Sequence, residues 1–353
     1  MSIPSQRDAL TLQTVMRDWL SARMPDATHI DLPPVRAAEG GSSSETLFID
    51  PIVTRGGETR QHHWVLRIQA TGHQVYQDPS VERQFRVMEM VARQGGVPVP
   101  AVLWFEGDAG LLGAPFFVMD RVEGAVPHER YHSQGVLFDA TPAERRAMWL
   151  SGIRAMAAIH AIDPAHAAFL GRPELGPTGL DQEIAAWDGY LSWADVPAHP
   201  VLVRARQWLT DHAPAHRPTG VAWGDARLGN MIFRDGQCVA VLDWETASLG
   251  GAETDLGWWL YYDWWITEGT GVQRLEGIGG REETIRAWED AAGRHAEAMD
   301  WHEMFGTYRF AIISERAIAL AVAAGAQLGV TGGDSNPAVA RLRQLLESGF
   351  LTA

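Results

Sequence analysis

The chain has 353 residues, which is long for one compact core and predicts two domains. Its hydrophobic fraction of 46% is typical of a globular protein, and no stretch is long and apolar enough to span a membrane, so we expect no membrane partner. The formal net charge of −15 argues against a nucleic-acid partner, because the phosphates would be repelled.

Hydrophobic periodicity predicts a sheet-rich first part of the chain. The pattern gives an extra N-terminal helix over residues 6–24 and a second helix over 80–94. Strands are expected over 28–32, 45–53, 62–70, 101–106 and 115–122. The run Arg55-Gly56-Gly57-Glu58 supplies the turn between the second and third of these strands.

Helical periodicity dominates the rest of the chain. The first of these helices begins at Thr141-Pro142, with Glu144 in its first turn. Helices are expected over 142–162, 180–194, 200–212, 254–267, 281–298, 301–328 and 336–349. This order predicts an α+β protein with a small sheet-rich lobe over 1–122 and a larger, mostly helical lobe over 123–353, joined near Val122-Glu123-Gly124.

A hairpin with polar groups at its ends is predicted between the third and fourth of these helices. Asp225 follows an apolar run, Asn230 comes five residues later, and Asp243 ends the second apolar run. An ordinary Asp235-Gly236 turn explains the chain reversal but not these polar ends. Phosphoryl transfer from Mg·ATP uses such a set, because the protein mainly positions the reactants and neutralises charge. We predict that Asp225 accepts the proton of a substrate hydroxyl and that Asn230 and Asp243 bind Mg²⁺. Arg227 is predicted to contact the transferred phosphoryl group.

Three motifs follow one another in this region: Gly224-Asp225 with Asn230, then Asp243-Trp244-Glu245, then Asp255-Leu256. Together they resemble the motifs of the aminoglycoside phosphotransferase and choline kinase family, small-molecule relatives of the protein kinases. The resemblance extends from about residue 30 to 350. It includes bacterial proteins classed as aminoglycoside phosphotransferases and the kinase-like domains fused to some acyl-CoA dehydrogenases. It implies a bilobal protein-kinase-like fold and Mg²⁺-dependent transfer of the terminal phosphoryl group of ATP, or of GTP, to a small-molecule hydroxyl.

A glycine- and serine-rich stretch between the first two strands is suited to phosphate binding. Its candidate residues are Gly41, Ser42, Ser43 and Ser44. The resemblance implies that Arg67 stands where kinases have a phosphate-binding lysine, and Gln84 where they have its glutamate partner. It also implies that Met119 lies at the back of the adenine pocket, with the backbone of Asp120 to Val122 at the purine edge.

Two questions stay open at this level. Arginine binds phosphate well, but Gln84 gives Arg67 no ionic partner, so a catalytically weak nucleotide-binding pseudokinase or regulatory module is the alternative to a kinase. The acceptor is aminoglycoside-like, macrolide-like or a hydroxyacyl compound, and the many tryptophans suit a partly apolar one. The single cysteine, Cys238, and the lack of an apolar signal core at the start favour a cytoplasmic location.

Overall fold

The computed structural model describes residues 9–38, 44–71, 75–197, 199–326, 328–329 and 332–348. Within them the chain forms two compact units. The first comprises the residues up to Glu89 together with Pro100–Val122, and the second comprises Met90–Val99 and the residues from Glu123 onwards. The segment Met90–Val99 contacts the rest of the second unit, where its Pro98 carbonyl accepts a 2.8 Å hydrogen bond from the Val241 N–H.

The first unit contains the antiparallel sheets. Its strands are β1 (Ala27–Asp31), β2 (Arg36–Ala37), β3 (Ser44–Ile49), β4 (Ile52–Arg55), β5 (Glu58–Gln61), β6 (Trp64–Gln69), β7 (Val102–Glu106) and β8 (Phe116–Asp120). One sheet has the order β2-β3-β6-β8-β7, and the other has the order β1-β4-β5. The helices of this part are α1 (Ala9–Arg23), α2 (Val81–Gln94), which continues into the second unit, and the short α3 (Ala109–Leu112).

The predicted strand over 45–53 is wrong as a single element, because the chain breaks between β3 and β4 at Asp50-Pro51. Proline has no N–H to donate to a ladder, which favours a break there. Gly56 and Gly57 have φ of 57° and 84°, as a two-residue hairpin turn requires, and they join β4 to β5. All residues of β5 are exposed, so it shows no apolar alternation and the sequence pattern does not reveal it.

Helix α1 packs on one face of the larger sheet. The apolar side chains Leu12, Met16 and Trp19 of α1 share a core with Leu66 of β6 and Phe116 of β8. Successive residues of a strand point to opposite faces, so Arg67 lies on the face away from this core. The core therefore fixes which face of the sheet carries the predicted phosphate-binding cation.

The second unit is mostly helical. Its helices are α4 (Val136–Asp139), α5 (Pro142–His160), α6 (Gly179–Ala194), α7 (Pro200–Asp211), α8 (Ala252–Ile266), α9 (Arg281–Ala292), α10 (Met299–Ala323) and α11 (Pro337–Glu347). Thr141 and Glu144 form a reciprocal capping box at the start of α5, as the sequence predicts. The predicted helix over 281–298 is too long, because Gly293 has a φ of 68° and ends α9 after Ala292.

A hairpin of β9 (Met231–Arg234) and β10 (Gln237–Val241) packs beside α5 in this unit. Helices α8 and α10 also pack against each other, at Gly257 and Gly306. A Cβ on Gly257 would lie 2.2 Å from the His302 carbonyl oxygen, so only glycine allows the helices to approach this closely. In the part of the chain described, no helix combines the length and the apolar character needed to cross a bilayer.

His302 is buried at this helix interface, and burial lowers its pKa to about 4. The pKa of an unfolded histidine is about 6.5, so between the two values the unfolded chain binds more protons than the folded one. The free energy of unfolding should therefore fall as the pH drops from about 6.5 towards 4, by roughly 1 kcal/mol per pH unit from this group. Urea unfolding at pH 7 and pH 5 measures the change. His302→Leu should show a smaller difference between the two pH values, and an unchanged difference would contradict the assignment.

Candidate active site

The loop before β9 and the end of β10 bring together the predicted carboxylates and amide of the second unit. The Asn230 Nδ2 donates to the Asp225 backbone oxygen at 3.0 Å and to its Oδ2 at 2.6 Å. The Leu242 N–H donates to the Asn230 backbone carbonyl at 2.8 Å, and Asp243 is the next residue in the chain. Asp243 has a φ of 60°, a left-handed conformation that is uncommon for non-glycine residues and that recurs at functional sites.

Both carboxylate oxygens of Asp225 accept further hydrogen bonds. The Trp258 indole Nε1 donates to Oδ1 at 2.9 Å, and the Arg227 Nε donates to Oδ2 at 3.1 Å. With the bond from Asn230, three side-chain donors hold one carboxylate in one orientation. Such fixation is what a proton acceptor needs, because the reacting atoms must meet at a defined position.

Arg227 is held in turn by Tyr262. Its Nη1 donates to the Tyr262 hydroxyl at 3.3 Å, and its guanidinium lies 5.2 Å from the centre of that ring. Burial alone lowers the pKa of Arg227, but the Asp225 carboxylate, followed by Tyr262 and then Asp243, outweighs it and raises the pKa well above its ordinary value. Arg227 therefore stays charged, and Asp225 and Asp243 act on the same cation.

Asn230 and Asp243 fit a magnesium ion by their chemistry. The Asn230 Nδ2 is directed at Asp225, so its amide oxygen points elsewhere and can bind a cation. Among the described residues no group of three or more His, Cys, Asp and Glu side chains is clustered for a metal. Magnesium does not need one, because it is commonly bound by one or two protein oxygens, with water and substrate phosphates completing the shell.

The loop that carries Asp225 is anchored by Asp255. This fully buried carboxylate accepts hydrogen bonds from the Trp223 N–H at 2.6 Å and the Gly224 N–H at 2.7 Å. His160 Nε2 lies 2.9 Å from it, and the Trp288 indole donates to His160 Nδ1 at 2.9 Å. An indole can only donate, so Nδ1 accepts and Nε2 carries the proton that binds Asp255. Trp288 thus orients His160, and His160 together with the two loop N–H groups orients the Asp255 carboxylate.

Gly224 itself has a φ of 97°, and a Cβ there would lie 2.3 Å from the Thr246 carbonyl oxygen. Any other residue would therefore displace the loop. The sequence motif Gly224-Asp225 thus has a steric basis in the structure, since the glycine lets the chain pass Thr246 immediately before the carboxylate.

Sequence reasoning missed two supporting residues, Trp258 and Arg309. Arg309 is buried, and its Nη2 donates to the Gly224 carbonyl at 3.1 Å. Its guanidinium lies 4.8 Å from the ring centre of Trp187 and 4.9 Å from that of Trp258. Only the fold shows that Trp258 and Arg309, from α8 and α10, contact the loop.

In the first unit, Arg67 and Gln84 are in contact. The Arg67 Nη2 donates to Gln84 Oε1 at 3.1 Å, and its Nη1 donates to Thr46 Oγ1 at 3.3 Å. Gln84 Nε2 and Ser44 Oγ are buried, and among the described residues neither has a hydrogen-bond partner. The other predicted loop residues, Gly41, Ser42 and Ser43, lie outside the described residues.

The predicted adenine-pocket residues lie on and after β8, which pairs with the Arg67 strand. Met119 is buried in this strand. The Asp120 N–H donates to the Ala101 carbonyl at 2.9 Å and the Arg121 N–H to the His63 carbonyl at 2.9 Å. These two donors are therefore used within the unit, and Val122, half-buried, follows directly.

A small antiparallel-sheet unit and a larger helical unit with this loop define a kinase-like phosphotransferase. The family profile of the APH phosphotransferase enzyme family matches residues 35–298, which is more than half of the chain. The chain belongs to this family. The family and the bilobal protein-kinase-like fold expected from the sequence are thereby confirmed.

Among curated proteins, the chain is similar to acyl-CoA dehydrogenase family member 10 of Mus musculus, at 29% identity over 265 residues, or 73% of this chain and 23% of that protein. It is also similar to acyl-CoA dehydrogenase family member 11 of Rattus norvegicus, at 26% identity over 295 residues, or 80% of this chain and 36% of that protein. The chain thus spans only about a quarter to a third of these relatives.

Similar solved structures cover almost the whole chain. A proposed aminoglycoside phosphotransferase from Ralstonia eutropha is 24% identical with a TM-score of 0.69, covering 96% of each chain. A thermostable mutant of aminoglycoside phosphotransferase APH(4)-Ia, in a ternary complex with ADP and hygromycin B, is 18% identical with a TM-score of 0.57, covering 94% of this chain and 98% of that one. At these identities the likeness establishes the fold.

Proposed function

We propose that this protein is a small-molecule kinase that transfers the terminal phosphoryl group of ATP or GTP to a hydroxyl. The observation that carries the proposal is the Asp225 carboxylate, held on its loop by donors from Trp258, Arg227 and Asn230. A fixed carboxylate next to an amide and a permanent cation has the groups that phosphoryl transfer needs.

In the proposed reaction, Asp225 hydrogen-bonds the acceptor hydroxyl and takes its proton as the acceptor oxygen forms a bond to the terminal phosphorus. The bond from that phosphorus to the bridging oxygen breaks, and the nucleoside diphosphate leaves with the electron pair. Arg227, which stays charged, stabilises the negative charge of the group in transfer.

Asn230 and Asp243 are the residues that would hold Mg²⁺, which when bound neutralises the charge of the nucleotide phosphates. The support for this assignment is the chemistry of the donors, an amide oxygen and a carboxylate, both of which suit a hard cation. Glu245, buried after Asp243, is the neighbouring carboxylate.

For the nucleotide we propose Arg67, Gln84 and Ser44, with the loop Gly41–Ser43, as the phosphate-binding groups, and Met119 to Val122 as the adenine side. The buried Gln84 Nε2 and Ser44 Oγ, which have no partner among the described residues, support this, because phosphate oxygens are strong acceptors. ADP in the complex of the APH(4)-Ia mutant is consistent with nucleotide use.

Arg67→Met should raise the Kd for Mg·ATP by about 10- to 100-fold, because hydrogen bonds to a charged group are worth about 1.5–3 kcal/mol. Arg67→Lys should lose less, since the charge remains without the planar pair of donors. Isothermal titration calorimetry measures both values. The control is Arg60→Met on exposed β5, which should bind as the native protein does. Equal Kd values for Arg67→Met and the native protein would contradict the role of Arg67.

The neutral Gln84 beside Arg67 favours a second candidate, a nucleotide-binding pseudokinase. Thermal melts with Mg·ATP or Mg·GTP distinguish the two functions when combined with an acceptor panel. Ligand at about 100 times its Kd should stabilise the protein by about 2.7 kcal/mol. Binding without Asp225-dependent release of nucleoside diphosphate, across aminoglycosides, macrolides and hydroxyacyl compounds, would favour the pseudokinase.

A further inference from the structure

Four aromatic side chains of the second unit form a continuous surface between α8 and α10. This aromatic patch consists of Trp258, Tyr262, Trp265 and Phe310. The Phe310 ring centre lies 5.6 Å from that of Trp258, 6.4 Å from Tyr262 and 5.1 Å from Trp265. Phe310 and Trp265 are only half-buried, so part of the patch is open to solvent.

The patch touches both residues of the proposed chemistry. Trp258 donates its indole N–H to the Asp225 carboxylate at 2.9 Å. The ring and hydroxyl of Tyr262 contact Arg227. A molecule that presents a hydroxyl to Asp225 therefore meets aromatic surface immediately beside it.

The charges around the patch do not favour a polycation. Every carboxylate on α8 and α10 has a donor partner: Glu253, Asp255, Asp263, Asp300, Glu303 and Glu315. The exposed Glu129 acts electrostatically on Tyr262, but the Arg227 cation stacks on the same ring. Arg309 places a further cation over Trp258. An aminoglycoside would need several carboxylates without partners, and such a group is not found on these helices.

The family profile matches residues up to 298, whereas Phe310 lies on α10, which begins at Met299. Phe310 is the member of the patch whose ring contacts the other three, so its substitution tests the role of the whole patch.

We infer that the acceptor is an alcohol with an uncharged apolar body, which rests on Phe310 and Trp265 while its hydroxyl is presented to Asp225. This inference rests on the proposed phosphotransfer. Aromatic rings bind apolar groups by removing both surfaces from water, so the length of the apolar body should determine the specificity.

The test is a series of linear primary alcohols from ethanol to octanol, with kanamycin as the polycationic comparison. The release of nucleoside diphosphate from Mg·ATP and Mg·GTP gives kcat/KM for each. We expect kcat/KM to rise about fourfold per methylene until the patch is covered, as each buried methylene contributes about 0.8 kcal/mol. The kcat/KM for octanol should exceed that for kanamycin.

Substitutions inside and outside the aromatic patch test whether the patch causes the dependence of kcat/KM on chain length. Phe310→Ala and, independently, Trp265→Ala should lower kcat/KM for octanol at least tenfold more than they lower it for ethanol. Phe310→Glu should lower the value for octanol and raise it for kanamycin. The matched control is Trp208→Ala on α7, a half-buried tryptophan that stacks on His212, and it should keep the native chain-length dependence.

The outcomes separate the two proposals. A flat alcohol series, or a preference for kanamycin, with transfer that still requires Asp225, overturns the apolar acceptor and leaves the kinase function standing. A chain-length dependence that Phe310→Ala and Trp265→Ala do not change also overturns it. No Asp225-dependent transfer to any of the alcohols overturns this inference. If transfer is also absent across the aminoglycosides, macrolides and hydroxyacyl compounds, the kinase function is overturned as well.

Discussion

Asp225→Asn should lower kcat by about 10²- to 10⁴-fold, the usual contribution of a general base. Asparagine has the same shape and can still accept from the Trp258 indole, but it cannot take the proton of a hydroxyl. The KM for the nucleotide should change little, because Asp225 does not belong to the proposed phosphate-binding groups. Initial rates of nucleoside diphosphate release at saturating acceptor measure the effect.

The matched control is Asp235→Asn in the turn of the same hairpin. Asp235 is exposed and has a φ of 51°, a conformation that asparagine adopts readily. The Asp235→Asn substitution removes the same negative charge further along the same hairpin and should leave kcat at the native value. Equal rates for Asp225→Asn and the native protein would remove the basis of the proposed mechanism.

Asp255→Asn should lower the free energy of unfolding by about 3 kcal/mol or more. The carboxylate is completely buried and accepts two backbone N–H groups and His160. An amide has only one acceptor oxygen, and each buried donor left unsatisfied costs about 1–3 kcal/mol. Urea unfolding followed by far-ultraviolet circular dichroism measures the loss. We expect kcat to fall as well, because the loop that carries Asp225 loses its anchor.

Asp290→Asn is the control for this change, since Asp290 lies exposed on α9 and should be within about 0.5 kcal/mol of the native protein. His160→Gln should be milder than Asp255→Asn, because only one of the three hydrogen bonds to the carboxylate is altered. If the urea midpoint of the Asp255→Asn protein equalled that of the native protein, the anchoring role of Asp255 would be wrong.

The helices and most strands follow from the sequence because their apolar residues repeat with the period of the element. Strand β5 could not be predicted from the sequence, since all its residues are exposed and show no alternation of apolar and polar side chains. The predicted strand over 45–53 failed at Pro51, where a missing N–H ends the ladder. Local patterns thus succeed where burial imposes a repeat and fail where a proline or an exposed edge decides.

The sequence by itself determined the family and the order Asp225, Asn230 and Asp243, because these groups lie on one short hairpin and their spacing is a local property. Only the tertiary structure decided what surrounds them. Trp258 reaches Asp225 from 33 residues away and Arg309 reaches Gly224 from 85 residues away. Such contacts depend on how closely α8 and α10 pack at their glycines, and no periodicity within either helix specifies that distance.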